Sequence, residues 1–360
     1  MAGNLNDLLK ATSRSFYLTL RVLPAAVRPQ IGLAYLLART TDTIADTELV
    51  PLAQRLDALQ ALRKRIRGHN SAPLNFGELA RQQGSPAERV LLEKVEDSLA
   101  LLQTLSVEDL ILVREVLTTI TGGQELDLQW FGRWGETPGG PSSTLAARGD
   151  ARPPSQHIIA LETDAELDDY TYRVAGCVGE FWTKICLVHL FPQVELDEKQ
   201  FIADGIRFGK GLQLVNILRD LPADLKKGRC YLPMEKLEQV KLFPETLLSP
   251  ATEAKFLKIY REYLDLAESH LRAGWNYTNT LPFGQFRVRL ACAWPVLIGV
   301  RTIKRLRAAG VTELQQRVKV SRGEVRGLML YSTLASPLPF AWRRLFPSGG
   351  KAVASGDELA

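Results

Sequence analysis

Apolar residues recur three and four positions apart through most of the chain. Leu5, Leu8, Leu9, Phe16 and Leu20 follow this spacing near the start, Leu52, Leu56, Leu59 and Leu62 follow it again, and strict two-residue alternation is scarce. A period near 3.6 marks helices with one buried face, whereas a period of two marks half-buried strands, so the pattern predicts an all-α chain. Proline and glycine interrupt it at Pro24 with Pro29, at 68–73, at Gly84-Ser85-Pro86, at Phe191-Pro192, at Pro233, at 244–250 and at Pro282-Phe283-Gly284. Helices of ordinary to long length fill the intervals. Residues 135–156, with clustered Gly, Pro, Ser and Arg, read as a flexible surface insertion, because the helical pattern resumes unchanged at Ala165. One domain over 1–346 and a frayed tail over 347–360 are therefore expected.

Composition narrows the picture. The 360 residues include 45 Lys plus Arg against 40 Asp plus Glu, and 46% are hydrophobic, which is enough apolar material for a sizeable core. The net charge of +5 comes without a dense basic run carrying interleaved aromatics, so nucleic acid is not expected as a partner, and a monomer is. Cys177, Cys186, Cys230 and Cys292 stand at irregular gaps and read as reduced thiols. His69, His157, His189 and His270 lack metal-ligand spacing. Residues 1–10 carry no apolar run, which predicts no signal peptide and a cytoplasmic location. The apolar stretches 290–300 and 327–342 fall short of a membrane span. Residues 331–346 combine Leu334, Leu338, Phe340, Trp342, Leu345 and Phe346 with Arg343-Arg344, a pattern suited to peripheral contact with an anionic inner leaflet or to ordinary core packing.

Candidate chemistry begins with Asp42-Thr-Ile-Ala-Asp46 inside the apolar segment 31–45. On a helix, Arg39, Asp42 and Asp46 project within roughly 60° of one another, and Tyr35 joins the stripe one turn earlier. Carboxylates one turn apart repel unless a cation lies between them, and such oxygen ligands suit Mg²⁺. Taken alone, the pair reads equally as a solvated acidic face. A second pair, Asp220 and Asp224, ends another apolar segment, where Gln213, Asn216, Asp220 and Asp224 fall within about 80° on the wheel. Two such stripes, with Arg39 and Arg219 beside them and Lys226, Lys227 and Arg229 just after, match a diphosphate bridged by Mg²⁺. Pro222 removes one helical hydrogen bond, so the second helix is expected to kink or end there.

A third constellation runs from Asp169 to Glu180. Gly176 and Gly179 each cost a helix about 1 kcal/mol relative to Ala, which points to the close approach of another helix or of a ligand. Tyr170 and Val174 would flank that smooth wall, and an aromatic lining there would stabilise a carbocation. Gly209-Lys210-Gly211 lacks the strand and third glycine of a dinucleotide fingerprint and reads as helix packing.

Together these segments resemble the squalene/phytoene synthase family, the head-to-head prenyl diphosphate condensing enzymes. The matching residues are Ser13-Arg14-Ser15-Phe16, Ala38-Arg39-Thr40-Thr41-Asp42-Thr43-Ile44-Ala45-Asp46, the run from Tyr170 to Gly179, and the run from Gly211 to Asp224 with Gly228-Arg229-Cys230-Tyr231-Leu232-Pro233. They occur in family order. The resemblance implies a single-domain isoprenoid synthase fold with a central cavity. It implies Mg²⁺, or Mn²⁺ in its place, on Asp42, Asp46, Asn216, Asp220 and Asp224, and a catalytic Tyr170. It also implies prenyl diphosphate contacts from Ser13, Arg14, Phe16, Arg39, Tyr172, Val174, Gln213 and Arg219. Family chemistry joins two prenyl diphosphates through a cyclopropylcarbinyl diphosphate, which ionises and rearranges. The last cation is quenched by hydride from NADPH in the squalene branch and loses a proton in the phytoene and dehydrosqualene branches.

Asp42-Thr43-Ile44-Ala45-Asp46, Cys292-Ala293-Trp294-Pro295 and Val318-Lys319-Val320-Ser321-Arg322-Gly323 look like the squalene branch, with Lys319 and Arg322 as cations for the NADPH phosphate. The Asn216 to Pro233 segment looks equally like phytoene synthases. The expectation drawn from the resemblance is a squalene synthase acting on farnesyl diphosphate. The alternatives are a phytoene, dehydrosqualene or presqualene diphosphate synthase, or a scaffold without catalysis on the same fold.

Overall fold

The computed structural model describes residues 9–10, 12, 20–132, 158–316 and 318–346. Ser13, Arg14 and Phe16, the insertion expected over 135–156 and the tail over 347–360 lie outside the described residues. As the 3.6 period predicts, the described residues are almost wholly helical. The helices are α1 (Arg28–Asp46), α2 (Leu52–Arg67), α3 (Gly77–Arg81), α4 (Pro86–Glu93), α5 (Val95–Leu102), α6 (Val107–Phe131), α7 (Asp164–Thr171), α8 (Cys177–Leu190), α9 (Glu198–Lys226), α10 (Met234–Gln239), α11 (Glu253–Thr280), α12 (Phe286–Ala308), α13 (Val311–Gln315), α14 (Arg322–Ala335) and α15 (Pro339–Arg343). The one sheet among these residues is a two-residue parallel pair, β1 (Ile159–Ala160) with β2 (Arg229–Cys230), in the register Ile159 to Arg229.

Three apolar clusters form the core. The largest gathers α9, α11 and α12, a second gathers α1, α2, α5 and α6, and a small third lies around Phe201, Tyr277 and Cys292. All four cysteines are buried and free. No helix among the described residues is long and apolar enough to cross a membrane.

Helix α9 runs through the middle, and glycine lets it approach its neighbours backbone to backbone. A Cβ on Gly179 of α8 would lie 1.9 Å from the carbonyl oxygen of Gly205, and one on Gly209 would lie 2.1 Å from that of Ala175. On the other side of α9, a Cβ on Gly211 would meet His270 and the Leu271 amide of α11 at 2.9 and 3.0 Å. The glycines therefore serve helix crossing, the packing role read for Gly209 and Gly211 and one of the two read for Gly179. Between α7 and α8, residues Tyr172–Gly176 form a π-helical turn, which adds a residue to the helical path and re-aims Tyr170 and Val174.

Of the kink or end expected at Pro222, the end does not occur. Helix α9 continues through it to Lys226. Proline leaves the Leu218 carbonyl without its usual donor, and the buried Tyr260 hydroxyl of α11 donates to that oxygen at 2.8 Å. A tertiary bond replaces the lost helical one, so Asp220 and Asp224 stay one turn apart.

The α8–α9 crossing has no room for a methyl group. Gly179→Ala is expected to destabilise the fold by about 1–3 kcal/mol, the usual range for overpacking. Gly327→Ala on α14, where nothing lies within 4 Å, is expected to be neutral or stabilising by up to about 1 kcal/mol. Urea unfolding of both variants checks the pair, and equal stability of the two would contradict the crossing.

Candidate active site

Three helices bring the carboxylates together. Asp42 and Asp46 occupy the last turns of α1, Asp220 and Asp224 the last turns of α9, and Asp127, which the sequence reading passed over, the last turn of α6. Helix α1 packs on α6, so Gln124 reaches across and its amide donates to Asp42 Oδ1. Gly228, at φ 72, turns the chain sharply after α9. That turn sends Arg229 into β2, where its guanidinium meets Asp127 at 3.2 Å. The same group stands 3.7 Å from Glu48, just past α1, and Lys227 stands 3.2 Å from it.

Crowded charge sets the electrostatics. Burial and the neighbouring Asp46 push Asp42 up to about 6, against the pull of Arg39. Burial and Asp220 push Asp224 up to about 7, with Arg229, Lys227 and Asp127 all close enough to act on it. Asp46 and Asp127 are raised as well, chiefly by burial, and Arg229 lowers both. Arg229 and Lys227 thus stand between the two Asp pairs as the cations that hold them together.

Beside the carboxylates lies an aromatic cluster. Tyr170 stacks on Tyr231 with ring centroids 5.0 Å apart, while Trp130 and Phe131 close on these rings edge-on at 6.1 and 5.2 Å. The Tyr231 hydroxyl donates to Asp127 Oδ1 at 2.5 Å, and the Tyr170 hydroxyl lies 3.4 Å from that of Tyr231. Burial, Tyr231 and Asp127 hold Tyr170 well above the ordinary phenol range, so it stays a proton donor.

The remaining predicted residues fall as follows. Arg39 pairs with Glu88 and stands 3.8 Å from Asp42. Arg219 grips the adjacent Asp220 through two nitrogens. Gln213 is half-buried on α9, and Asn216 is exposed one turn before Asp220. Val174 lies against Gly123 of α6, which brings the third constellation up to the glycine pair preceding Gln124. Tyr172 points elsewhere, its hydroxyl donating to Glu180 at 2.9 Å. Lys319 and Arg322 are exposed at the approach to α14, where the Lys319 carbonyl accepts from Arg305.

Among the described residues no group of three or more His, Cys, Asp or Glu side chains is arranged to hold a metal ion by itself. Two buried polar atoms do lack partners there, Gln124 Oε1 and Arg229 Nε, one an acceptor and the other a donor. Each Asp pair would suit a divalent ion that completes its shell with phosphate oxygens, Gln124 Oε1 being a further acceptor and Arg229 Nε a donor for a phosphate oxygen.

A family model described as Squalene/phytoene synthase matches residues 9–324. The chain belongs to the squalene/phytoene synthase family. It is 29% identical over 274 residues to a presqualene diphosphate synthase of Zymomonas mobilis, covering 76% of this chain and 74% of that protein. It is 25% identical over 331 residues to a squalene synthase of Schizosaccharomyces pombe, covering 91% and 64%. Over 325 residues it is 27% identical to a bifunctional lycopene cyclase/phytoene synthase of Gibberella fujikuroi, covering 88% of this chain and 49% of the relative, so the chain spans about half the length of that protein. The fold is similar to that of TcSQS bound to the ligand BPH1237, with a TM-score of 0.71 at 21% identity over 95% of this chain and 89% of that one. The family and the all-helical isoprenoid synthase fold implied by the sequence motifs are therefore shown.

Asp42 and Asp224 give the metal-free protein a pH dependence with a definite sign. Their folded values, about 6 and about 7, exceed the ordinary 3.8. Between about pH 4 and 7 the folded state holds protons that the unfolded state has lost, so the stability these two groups lend is present below that window and lost as pH rises through it. The Tm of metal-free Asp224→Asn is expected to gain on that of the wild type as pH rises from about 5 to about 8. Mg²⁺ with inorganic diphosphate is expected to raise the wild-type Tm most at the upper end. Parallel Tm curves for the two proteins would contradict the assignment.

Proposed function

We propose that the protein condenses two farnesyl diphosphates head to head through presqualene diphosphate and reduces the product to squalene with NADPH. The observation that carries this reading is the meeting of Asp42, Asp46, Asp220 and Asp224 around Arg229 and Lys227, directly beside the Tyr170–Tyr231 aromatic cluster. Each half of that arrangement serves one requirement of the chemistry. The carboxylates and Asn216 would hold Mg²⁺, or Mn²⁺ in its place, which when bound neutralises the departing diphosphate. Arg229, Lys227, Arg39 and Arg219 are placed to take phosphate oxygens. Arg39 and Arg219 now grip Glu88 and Asp220, so substrate binding exchanges one set of ion pairs for another.

When the first allylic C–O bond breaks, positive charge develops on carbon. The faces of Tyr170, Tyr231, Trp130 and Phe131 stabilise such charge without adding to it, and their packing keeps water from capturing it. Attack by the double bond of the second prenyl chain forms the cyclopropane as a proton passes from carbon to the diphosphate released by the ionisation. Tyr170 donates hydrogen bonds in this setting and does not act as a base, since its phenol holds its proton firmly. Ser13, Arg14, Phe16 and Gln213 belong to the same proposal as substrate contacts.

Lys319 and Arg322 would hold the phosphate of NADPH, which when bound supplies a hydride to the last cation. Both side chains are exposed cations, a donor set that suits a nucleotide phosphate.

A second reading rests on Asp127. The motifs alone offer no base beside the aromatic lining, whereas Asp127 is a carboxylate in contact with Tyr231 at the floor of that lining. A base there favours proton loss, which gives dehydrosqualene or phytoene and needs no reductant.

Product analysis separates the two. With farnesyl diphosphate and Mg²⁺ alone, presqualene diphosphate is expected to accumulate, and added NADPH is expected to convert it to squalene. A conjugated-triene chromophore in the lipid extract at full rate without NADPH would assign the proton-loss branch. Asp42→Asn and Asp220→Asn are expected to lower diphosphate release at least about 100-fold with helicity intact. Near-normal turnover in either variant would remove the carboxylates from the chemistry.

A further inference from the structure

Helix α14 has two contrasting faces. Leu328, Ser332 and Ala335 face inward, and the Trp294 indole of α12 donates to Ser332 Oγ at 3.0 Å. The opposite face carries Gly323, Gly327, Leu330, Tyr331 and Leu334, which fall within about 100° on the helical wheel. Leu330 and Leu334 are each 64% exposed and Tyr331 57%. A surface helix normally turns charged and polar residues to water on that side. Here both sides are apolar, and a Cβ on Gly323 or Gly327 would meet nothing within 4 Å.

The apolar face does not stop at the helix. Leu338 and Phe340 follow it, exposed by 58% and 67%. The Arg289 guanidinium lies over the rings of both Phe283 and Trp342, at 5.6 and 5.2 Å, and so joins the turn before α12 to α15. That turn adds Phe283 and Phe286, exposed by 61% and 54%. Trp342 and Phe346 anchor the segment by stacking on Trp275, so the exposed rings stand on a fixed base.

The charge around the patch has one sign. Arg287, Arg289, Arg326, Arg343 and Arg344 border it, and residues 281–308 and 325–346 contain no Asp or Glu. The nearby Glu324 is already held by Arg301 and Arg305. Exposed aliphatic and aromatic side chains rimmed by arginine complement an anionic lipid surface, because the rings and leucines enter the acyl boundary while the guanidinium groups meet phosphate. Arg344 stacked on Phe340 at 3.9 Å is a local instance of that pairing.

We propose that the face formed by α14, α15 and the Phe283–Phe286 turn docks on an anionic membrane. It extends the contact expected for 331–346 to a second stretch of chain, and it stands whichever product the active site forms. The core-packing alternative accounts for Trp342, Leu345 and Phe346, whereas Leu334, Leu338 and Phe340 remain outside the core.

The test uses the full chain and vesicles of phosphatidylcholine with increasing phosphatidylglycerol. Wild type is expected to co-float with the anionic vesicles, with partitioning that rises with phosphatidylglycerol and falls with salt. Leu334→Glu with Phe340→Ser is expected to weaken it at least about 10-fold, and Arg343→Glu with Arg344→Glu by a similar factor. Diphosphate release from micellar substrate, together with Tm, checks that each variant is folded. Failure of the wild type to co-float, or unchanged partitioning of the Leu334/Phe340 variant, would overturn the proposal. So would concentration-dependent dimerisation without vesicles that the same substitutions abolish, since the face would then pair two copies of this chain.

Discussion

Like-charge repulsion is the constraint around which this fold is arranged. Five aspartates converge from the ends of α1, α6 and α9, and at least three of them are driven toward protonation chiefly by burial. Left to itself, such a cluster would push the three helices apart. Arg229 and Lys227 oppose that, and they can do so only because α9 ends sharply at Gly228 and the chain then pairs with β1. A two-residue sheet is negligible as secondary structure, yet here it fixes where a guanidinium sits. The glycine crossings of α9 with α8 and α11 supply the rigidity on the other side, since a helix held at backbone distance cannot slide to relieve the strain.

The same arrangement explains why the cations are already engaged. Arg39 on Glu88, Arg219 on Asp220 and Arg229 on Asp127 are pairings that screen the carboxylates in the absence of ligand. Under the proposed function, a polyanion with metal ions would enter by exchanging these contacts, relieving repulsion on the acidic side as it loosens pairs on the basic side. Partly exposed ion pairs are individually weak, which suits them to being displaced.

How much of this was legible in the sequence depended on the range of the interaction. The helical period, the two Asp pairs and the glycine packing of α9 are local, and the chain shows them directly. Pro222 misled because its cost is set by a distant partner: Tyr260, 42 residues beyond Leu218, satisfies the Leu218 carbonyl that proline orphans. Asp127 was passed over for a similar reason. On α6 it looks like one acid on a helix surface, and its meaning comes from Tyr231 and Arg229, more than a hundred residues later. A signal was present, since Gln124 and Asp127 are polar residues one turn apart that directly follow the Gly122-Gly123 pair. Tyr170 and Tyr172 stand two residues apart in sequence, but across the π-helical turn that begins at Tyr172 their side chains join different clusters.

The aromatic floor and the acidic cluster share one residue, Asp127, and under the proposed reaction that overlap bears on the fate of the carbocation. Asp127 touches Tyr231 and feels Asp46 and Asp224, so its protonation state is tied to whatever neutralises the Asp pairs. Burial raises Asp127 while Arg229 and the Tyr231 hydroxyl lower it, so the charge of this carboxyl depends on its neighbours. As an anion it would stabilise a nearby cation and could remove a proton from it. Under the proposed reaction, hydride capture and proton loss would then compete, and the placement of Asp127 relative to the cationic carbon would decide between them. The branch point between reduced and unsaturated products is then a matter of where one carboxylate sits under the rings, and a fold can shift between those products without altering the machinery that ionises the substrate.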